Sequence, residues 1–167
     1  MVEIKNKKTK LKSKKASKKT KGKEKIKYRF LEKFVTADVA FEAFGKKLDE
    51  LFKNAALALT ETMVDSKTIE PKIQKMIKLQ NKELAQLLID FLNELVYYKD
   101  AEALLFSKIE VQVKNENNIW KLAATLKGEQ IDWKRHKLKA DVKAATWHLF
   151  ELQEEKEGWR TRVVLDI

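Results

Sequence analysis

The sequence predicts an α+β fold, a two-layer domain in which two main helices pack on one face of a mostly antiparallel sheet. Apolar residues recur at helical spacing in two long segments and alternate with polar residues in several shorter ones. The first 27 residues differ from the rest, because they hold 13 lysines, two glutamates and few apolar side chains. Such a segment cannot bury enough surface to offset the entropy of ordering. We therefore expect a disordered Lys-rich tail at residues 1–27 ahead of a domain at 28–167.

The domain begins with two predicted strands and a helix. Residues 28–34 and 39–44 have the apolar pattern of strands, with the polar Thr36-Ala37-Asp38 between them and Gly45 at the end of the second. Apolar residues then recur at helical spacing from Leu48 to Met63, which predicts a helix of about four turns. Asp38 therefore opens the second strand directly after a turn.

A second helix follows a segment whose pattern is ambiguous. Residues 73–79 lie beyond Pro71 and alternate weakly, as an edge strand does. Asn81 is a candidate N-cap, and the apolar stripe behind it predicts a helix that ends near Tyr98. The stripe consists of Leu84, Leu87, Leu88, Phe91 and Leu95.

The rest of the chain alternates with a period of two, which is typical of strands. Residues 109–114 and 120–126 flank a turn at 115–118 and form a predicted hairpin. Two more alternating segments, 142–151 and 159–167, are separated by a turn near Gly158. Five to seven strands with two amphipathic helices lead to the two-layer architecture.

The net charge of +11 resides entirely in the tail. The first 27 residues hold 13 of the 36 Lys and Arg and two of the 25 Asp and Glu, which leaves 23 of each sign for residues 28–167. A neutral domain exerts no global attraction on RNA. The tail favours weak, non-specific RNA contact, with a solubilising tail or a localisation signal as alternatives.

Several classes of protein are excluded by what the sequence lacks. Without cysteine there are no disulfides, thiolate metal sites or cysteine nucleophiles. No apolar run approaches the roughly 20 residues of a membrane span, and the basic start is not followed by the apolar core of a secretory signal. We expect a cytoplasmic protein without membrane contact. Gly-rich phosphate loops, zinc-binding histidine pairs and serine elbows are also missing, and the two histidines stand alone.

Three carboxylates suggest a cation site. Asp38 opens a strand, and a second strand ends in Asp166 and the terminal carboxylate of Ile167. If these strands lie side by side, like charges converge, and a hard cation such as Ca²⁺ or Mg²⁺ would compensate them. The alternative is that Asp166 is simply solvated, because spacing alone does not show that residues 38 and 166 meet.

The order of short motifs resembles that of the archease family. It begins with Thr36-Ala37-Asp38-Val39 and Gly45 and continues through the first helix to Met63-Val64-Asp65. The remaining motifs are Leu87-Leu88-Ile89-Asp90-Phe91-Leu92-Asn93-Glu94-Leu95, Gly128-Glu129, Arg135-His136, Val142-Lys143-Ala144-Ala145-Thr146 and Val163-Val164-Leu165-Asp166-Ile167. Together they cover nearly all of residues 28–167, and the Lys-rich tail lies outside the resemblance.

The resemblance implies a protein that is not itself an enzyme. Archeases assist the GTP-dependent tRNA-splicing ligase, which joins RNA ends carrying a 2′,3′-cyclic phosphate or 3′-phosphate to 5′-hydroxyl ends. The helper promotes guanylylation of the ligase and its repeated turnover. On this basis we expect the chain to activate such a ligase in tRNA splicing.

The resemblance also implies site residues. Archeases bind a divalent cation, for which we expect Ca²⁺, with Mg²⁺ or Mn²⁺ as alternatives. The ligands carried over by motif are Asp38, Asp65, Asp166 and the carboxylate of Ile167, while Lys143 and His136 are candidates for contact with the ligase or a nucleotide phosphate. The family commonly has a histidine just before Thr-Ala-Asp. This chain has Lys33-Phe34-Val35 there, so no role of that histidine transfers.

Two other functions stay open at this point. One is a non-enzymatic RNA-binding or RNA-chaperone protein that acts through the basic tail. The other is a small metal-dependent hydrolase, which ranks last because the sequence offers no base or nucleophile beyond the carboxylates.

Overall fold

The structure is a computed structural model, and it describes residues 24–167. The predicted disorder of the tail therefore lies outside the described residues, except for 24–27, which are exposed and belong to no helix or strand. Within the described chain, no helix combines the length and the apolar character that a membrane crossing requires.

Within residues 24–167 the chain forms seven strands, two α-helices and one short 3₁₀-helix. In chain order they are β1 (Tyr28–Phe30), β2 (Val39–Gly45), α1 (Leu48–Met63), the 3₁₀-helix Ser66–Thr68, β3 (Ile73–Asn81), α2 (Leu84–Glu102), β4 (Leu104–Glu116), β5 (Ile119–Gln130), β6 (Ala144–Glu155) and β7 (Gly158–Asp166). The α+β class, the two helices and the antiparallel pairing are as predicted.

The strands divide into two antiparallel sheets. One sheet has four strands in the order β1-β2-β7-β6, and the other has three in the order β3-β5-β4. Helix α1 packs against β2 of the first sheet and β4 of the second, and α2 contacts β6 as well as all three strands of the second sheet. Both helices therefore share one core with the inner faces of both sheets.

Helix α1 is held at its N-terminal end by its own side chains. Asp49 and Glu50 lie in its first turn, where acids favour the helix dipole. The Asp49 carboxylate accepts a 2.7 Å hydrogen bond from the Val113 amide of β4, and Glu50 accepts one from the Lys46 amide. Gly45 allows the tight entry into the helix, because a Cβ there would lie 2.3 Å from the Leu51 nitrogen. The helix consequently runs back alongside β2.

Several predicted element boundaries differ from the structure: α2 ends at Glu102 rather than near Tyr98, and β4 is longer than predicted. The first strand ends at Phe30 rather than at residue 34, since the backbone turns after Leu31 and Lys33 adopts a left-handed φ of 61°. Asn81 is the last residue of β3 and not the N-cap of α2, which is Glu83. The Asn81 side chain nevertheless accepts a hydrogen bond from the Glu83 amide, so it orders the turn that leads into the helix.

Candidate functional site

The two central strands of the four-stranded sheet bring the predicted acids to one end. Val39 of β2 pairs with Leu165 of β7, and extending this ladder by one residue places Asp38 across from Asp166. On the other side of β7, the Lys143 amide donates a 2.8 Å hydrogen bond to the Asp166 carbonyl. Ile167, whose carboxylate is a predicted ligand, follows directly. This sheet end therefore collects Asp38, Asp166, Ile167 and the backbone of Lys143.

The alternation of the strands places these acids on the outer face of the sheet. Phe41, Val163 and Leu165 are fully buried against the helices, so the residues between them point the other way. Asp38 is half-buried, and Asp166 and Ile167 are exposed. We call Asp38, Asp166 and the terminal carboxylate the carboxylate edge.

Asp65 lies at the same end of the domain but follows α1 on the inner layer. The 16-residue helix spans about 24 Å, nearly the length of the seven-residue strand β2 that it runs beside. After the helix, Val64 bridges Leu138, and the Asp65 amide donates to the Lys137 carbonyl. The Asp65 carboxylate accepts a hydrogen bond from the Lys67 amide and so caps the 3₁₀-helix.

The donor set fits a divalent cation only in part. Among residues 24–167 no three His, Asp or Glu side chains are arranged to hold a metal ion, so Asp38, Asp65 and Asp166 do not form a closed cage. Ca²⁺ takes six to eight oxygen ligands. The carboxylate edge supplies two side-chain carboxylates and the terminal one, and any further ligands would come from water or a partner.

Lys143 is exposed and directly precedes β6 beside the carboxylate edge. Two residues earlier, Asp141 has a pKa below its usual value, mainly because Lys99 donates a hydrogen bond to it, with Lys143 contributing a smaller attraction. The side chain of Lys143 has no acid within ion-pair distance among the described residues. A contact from Lys143 to the ligase or a nucleotide stays a prediction.

His136 occupies a different kind of position. Its side chain is completely buried. The Asp132 amide donates to Nδ1 at 2.9 Å, which leaves the proton on Nε2, and Nε2 lies 2.9 Å from the Glu129 carboxylate. A buried ring cannot touch a ligase or a nucleotide while this loop keeps its conformation. In this conformation His136 holds the loop together, and its contact with the ligase or a nucleotide stays a prediction.

Glu129 is the centre of this buried arrangement, which we call the Glu129 clasp. Besides His136, its carboxylate accepts hydrogen bonds from the Glu70 amide and from Arg135, each at 2.7 Å. Burial alone would raise the pKa of Glu129, but hydrogen bonds from Arg135, the Glu70 amide and His136 lower it to about 2. The motifs Gly128-Glu129 and Arg135-His136 are thus explained by packing of the loop that leads to Leu138 and Lys143.

The sequence interpretation missed an ion-pair network on the outer face of the same sheet. Glu42 of β2 lies between Arg29 of β1 and Arg160 of β7, and Arg160 continues to Glu151 of β6. Arg162 also pairs with Glu151, and its guanidinium stacks over the Phe34 ring at 4.8 Å. The strand alternation of Glu42 between Phe41 and Ala43 indicated an outward acid, but only strand order could show its partners.

Comparison with known proteins covers almost all of the described chain. The family model described as "Archease protein family (MTH1598/TM1083)" matches residues 28–167. A protein archease of Methanothermobacter thermautotrophicus is 37% identical over 133 residues, which is 80% of this chain and 94% of the relative. A protein archease of Methanosarcina barkeri is 34% identical over 84% of this chain and 95% of the relative. The solution structure of Methanobacterium thermoautotrophicum protein 1598 superposes with a TM-score of 0.75 at 35% identity, covering 84% of this chain and 99% of that one.

Proposed function

Because the chain belongs to the archease family, we propose that it is an accessory protein of the GTP-dependent tRNA-splicing ligase, promoting guanylylation of the ligase and its multiple turnover. The observation that carries this proposal is the carboxylate edge at the end of β2 and β7. The chain itself takes no catalytic role in the proposal, and the chemistry belongs to the ligase.

The carboxylate edge has the charge of a cation site. Neither Asp38 nor Asp166 has an ion-pair partner among the described residues, whereas Glu42 and Glu129 on the same domain are each neutralised by arginines. Like charges directly opposite one another destabilise a sheet, so two uncompensated acids at adjacent strand ends cost stability unless a cation joins them. We propose Ca²⁺ as that cation, with Mg²⁺ or Mn²⁺ as alternatives.

The exposure of the edge supports action on a partner. A site that supplies only part of a cation's ligands leaves positions for oxygen atoms of the ligase or of its nucleotide. A divalent cation held there would neutralise negative charge on phosphoryl oxygens. Lys143, directly before the neighbouring strand β6, would add a positive charge beside the same edge. Asp65 would act from the inner layer by ordering the segment at Lys137, or as a further ligand.

The carboxylates are tested by isosteric amides. Asp38→Asn and Asp166→Asn remove one negative charge each with little change of shape. Glu154→Gln is the matched control, because Glu154 is exposed and has no ion-pair partner among the described residues. We expect both edge variants to lose most of the stimulation of ligase guanylylation and multiple-turnover ligation, and the control to retain it. Full stimulation by the double variant Asp38→Asn/Asp166→Asn would show that the edge is not the working part.

The terminal carboxylate is tested by extension. Ile167 is 37% exposed, so two residues added after it displace the charge without disturbing the core. We expect the extended chain to bind Ca²⁺ more weakly in calorimetric titration. Unchanged affinity would remove Ile167 from the site while leaving Asp38 and Asp166 to be judged by their own variants.

A further inference from the structure

The outer face of the three-stranded sheet carries a surplus of positive charge. The inner face is identified by Ile77, Ile109 and Leu126, which are buried against the helices, so their strand neighbours point outward. Apart from the buried Glu129, which pairs with Arg135, five lysines and two glutamates lie on that outer face, an excess of three positive charges. We call it the basic sheet face and define it by Lys78, Lys108, Lys114, Lys121 and Lys127.

Two pairs of these lysines lie directly opposite each other. Lys108 of β4 is the register partner of Lys127 of β5, and Lys114 is the partner of Lys121. Like charges in directly opposed positions destabilise an antiparallel pair. An opposed pair that no acid of the described chain compensates would be stabilised by an anion bound from outside.

Only one of the two pairs is compensated within the described chain. The Glu116 carboxylate forms ion pairs with the ammonium groups of Lys114 and Lys121, with N–O distances of 2.5 and 2.7 Å. Lys108, Lys127 and Lys78 have no acid within ion-pair distance among the described residues, and Glu110 is engaged at the strand edge by Lys53 of α1. The outer face of the four-stranded sheet differs, because its arginines are all matched by Glu42, Glu151 and Glu155.

The shape and polarity of the basic sheet face suit an extended strand. Ala123 lies at its middle between Gln112 of β4 and Lys78 of β3, and its small side chain leaves a depression between the strands. No aromatic side chain lies at the outward-facing positions of β3, β4 and β5, so stacking of bases does not contribute. Amide groups of Gln80 and Gln112 between the lysines can bond to ribose hydroxyls.

We propose that the basic sheet face binds the sugar-phosphate backbone of an RNA strand. Lysine ammonium groups act as point charges toward phosphates, and successive outward positions on a strand lie about 6.8 Å apart. The lysine contacts would be independent of base sequence, because contacts to phosphates carry no sequence information. This surface lies on the other sheet from the carboxylate edge, so the inference stands apart from the proposed function.

The place where the described chain begins adds to this surface. Lys27 lines a surface cleft together with Lys53, Lys108 and Glu110 at the edge of β4. Lys27 therefore adds a positive charge at the border of the basic sheet face.

The experiment compares two triple variants of the full chain, so that the tail contributes equally to both. Lys78→Gln/Lys108→Gln/Lys127→Gln removes the three unpaired charges of the face. The matched control Lys46→Gln/Lys134→Gln/Lys156→Gln removes three exposed lysines that have no ion-pair partner among residues 24–167. Binding of a short fluorescein-labelled oligouridylate is measured by anisotropy over a series of KCl concentrations. We expect the face variant to bind about tenfold more weakly at low salt, and its salt slope to fall by about 2, roughly 0.7 for each lost phosphate contact.

Further measurements distinguish RNA from other polyanions, and a loss of RNA binding from a loss of folding. Lys127→Glu places an acid opposite Lys108, so it should raise the melting temperature while it weakens RNA binding. The proposal is overturned if face and control variants bind RNA alike, or if DNA of the same sequence binds as tightly as RNA. Equal loss of polyglutamate and RNA binding by the face variant would identify an acidic protein surface as the occupant and also overturn it.

Discussion

Glu129→Gln removes the negative charge at the centre of the Glu129 clasp. The Glu129 clasp joins three segments: the Glu70 amide after the 3₁₀-helix, Arg135 and His136 in the loop after β5, and β5 itself. The same loop continues to Lys137, which holds the Asp65 amide, and on to Lys143. Weakening the Glu129 clasp should therefore lower the stability of the domain and alter the loop beside the carboxylate edge.

The magnitude follows from the pKa of Glu129. A fall from the usual 4.5 to about 2 corresponds to roughly 3 kcal/mol of preference for the charged form in the folded state. The side chain of Arg135 is 38% exposed, so solvent screening reduces this to about 1–2 kcal/mol. An amide also turns one N–H toward neighbouring donors, which costs about 1 kcal/mol more. We expect Glu129→Gln to lower the free energy of unfolding by about 2–3 kcal/mol at neutral pH.

The pH dependence has a definite sign. Because the folded pKa of Glu129 is depressed, its stabilisation is complete above the unfolded pKa near 4.5 and is lost as pH falls toward about 2. Urea unfolding should therefore show a difference in free energy of unfolding between the wild type and Glu129→Gln at pH 7 that becomes smaller through this acidic window. The exposed control Glu154→Gln should show no such difference. Equal urea midpoints for the wild type and Glu129→Gln, or a difference in stability that stays constant in acid, would contradict this role of Glu129.

Three further predictions concern single sites. Thr60 in α1 is fully buried, and its hydroxyl has no hydrogen-bond partner in the described structure. Thr60→Val should therefore raise the free energy of unfolding, measured in urea, by about 1 kcal/mol. A lower stability of the variant would contradict this. Ala103 ends α2 with a left-handed φ of 52°, a conformation that glycine adopts more easily than alanine. Ala103→Gly should therefore stabilise the protein by about 0.5–1 kcal/mol in the same assay. Ala101→Gly, inside the helix, is the control and should destabilise it. Adding Ca²⁺ at a hundred times its Kd should stabilise the wild type by about 2.7 kcal/mol in thermal unfolding, and an equal gain in Asp38→Asn/Asp166→Asn would place the ion elsewhere.

The secondary structure could be predicted largely from local patterns. The apolar stripes through Leu51 and Phe52 and through Leu87 and Leu88 are long enough to predict both helices. These four residues are fully buried in the structure. The division of the strands into two sheets could not be predicted. A period of two assigns faces to each strand, but it does not say which strands become neighbours.

The site shows the same limit. The acids of the carboxylate edge were found from strand position and family resemblance, yet their adjacency depends on the pairing of β2 with β7 across almost the whole chain. The burial of His136 depends on the loop conformation that Glu129 and Asp132 impose, for which the sequence gives no periodic signal. The basic sheet face was hidden by the neutral total of residues 28–167, because net charge does not reveal how charges are distributed among faces.

The most direct test of the proposed function is multiple-turnover ligation by the cognate GTP-dependent RNA ligase, measured with and without this protein. The substrate carries a 2′,3′-cyclic phosphate and a 5′-hydroxyl end, and guanylylated ligase is quantified in the same samples. We predict that the protein increases both guanylylation and the number of ligations per ligase molecule, while the protein alone joins no RNA. Identical turnover and identical guanylylation in its presence and absence would contradict the account.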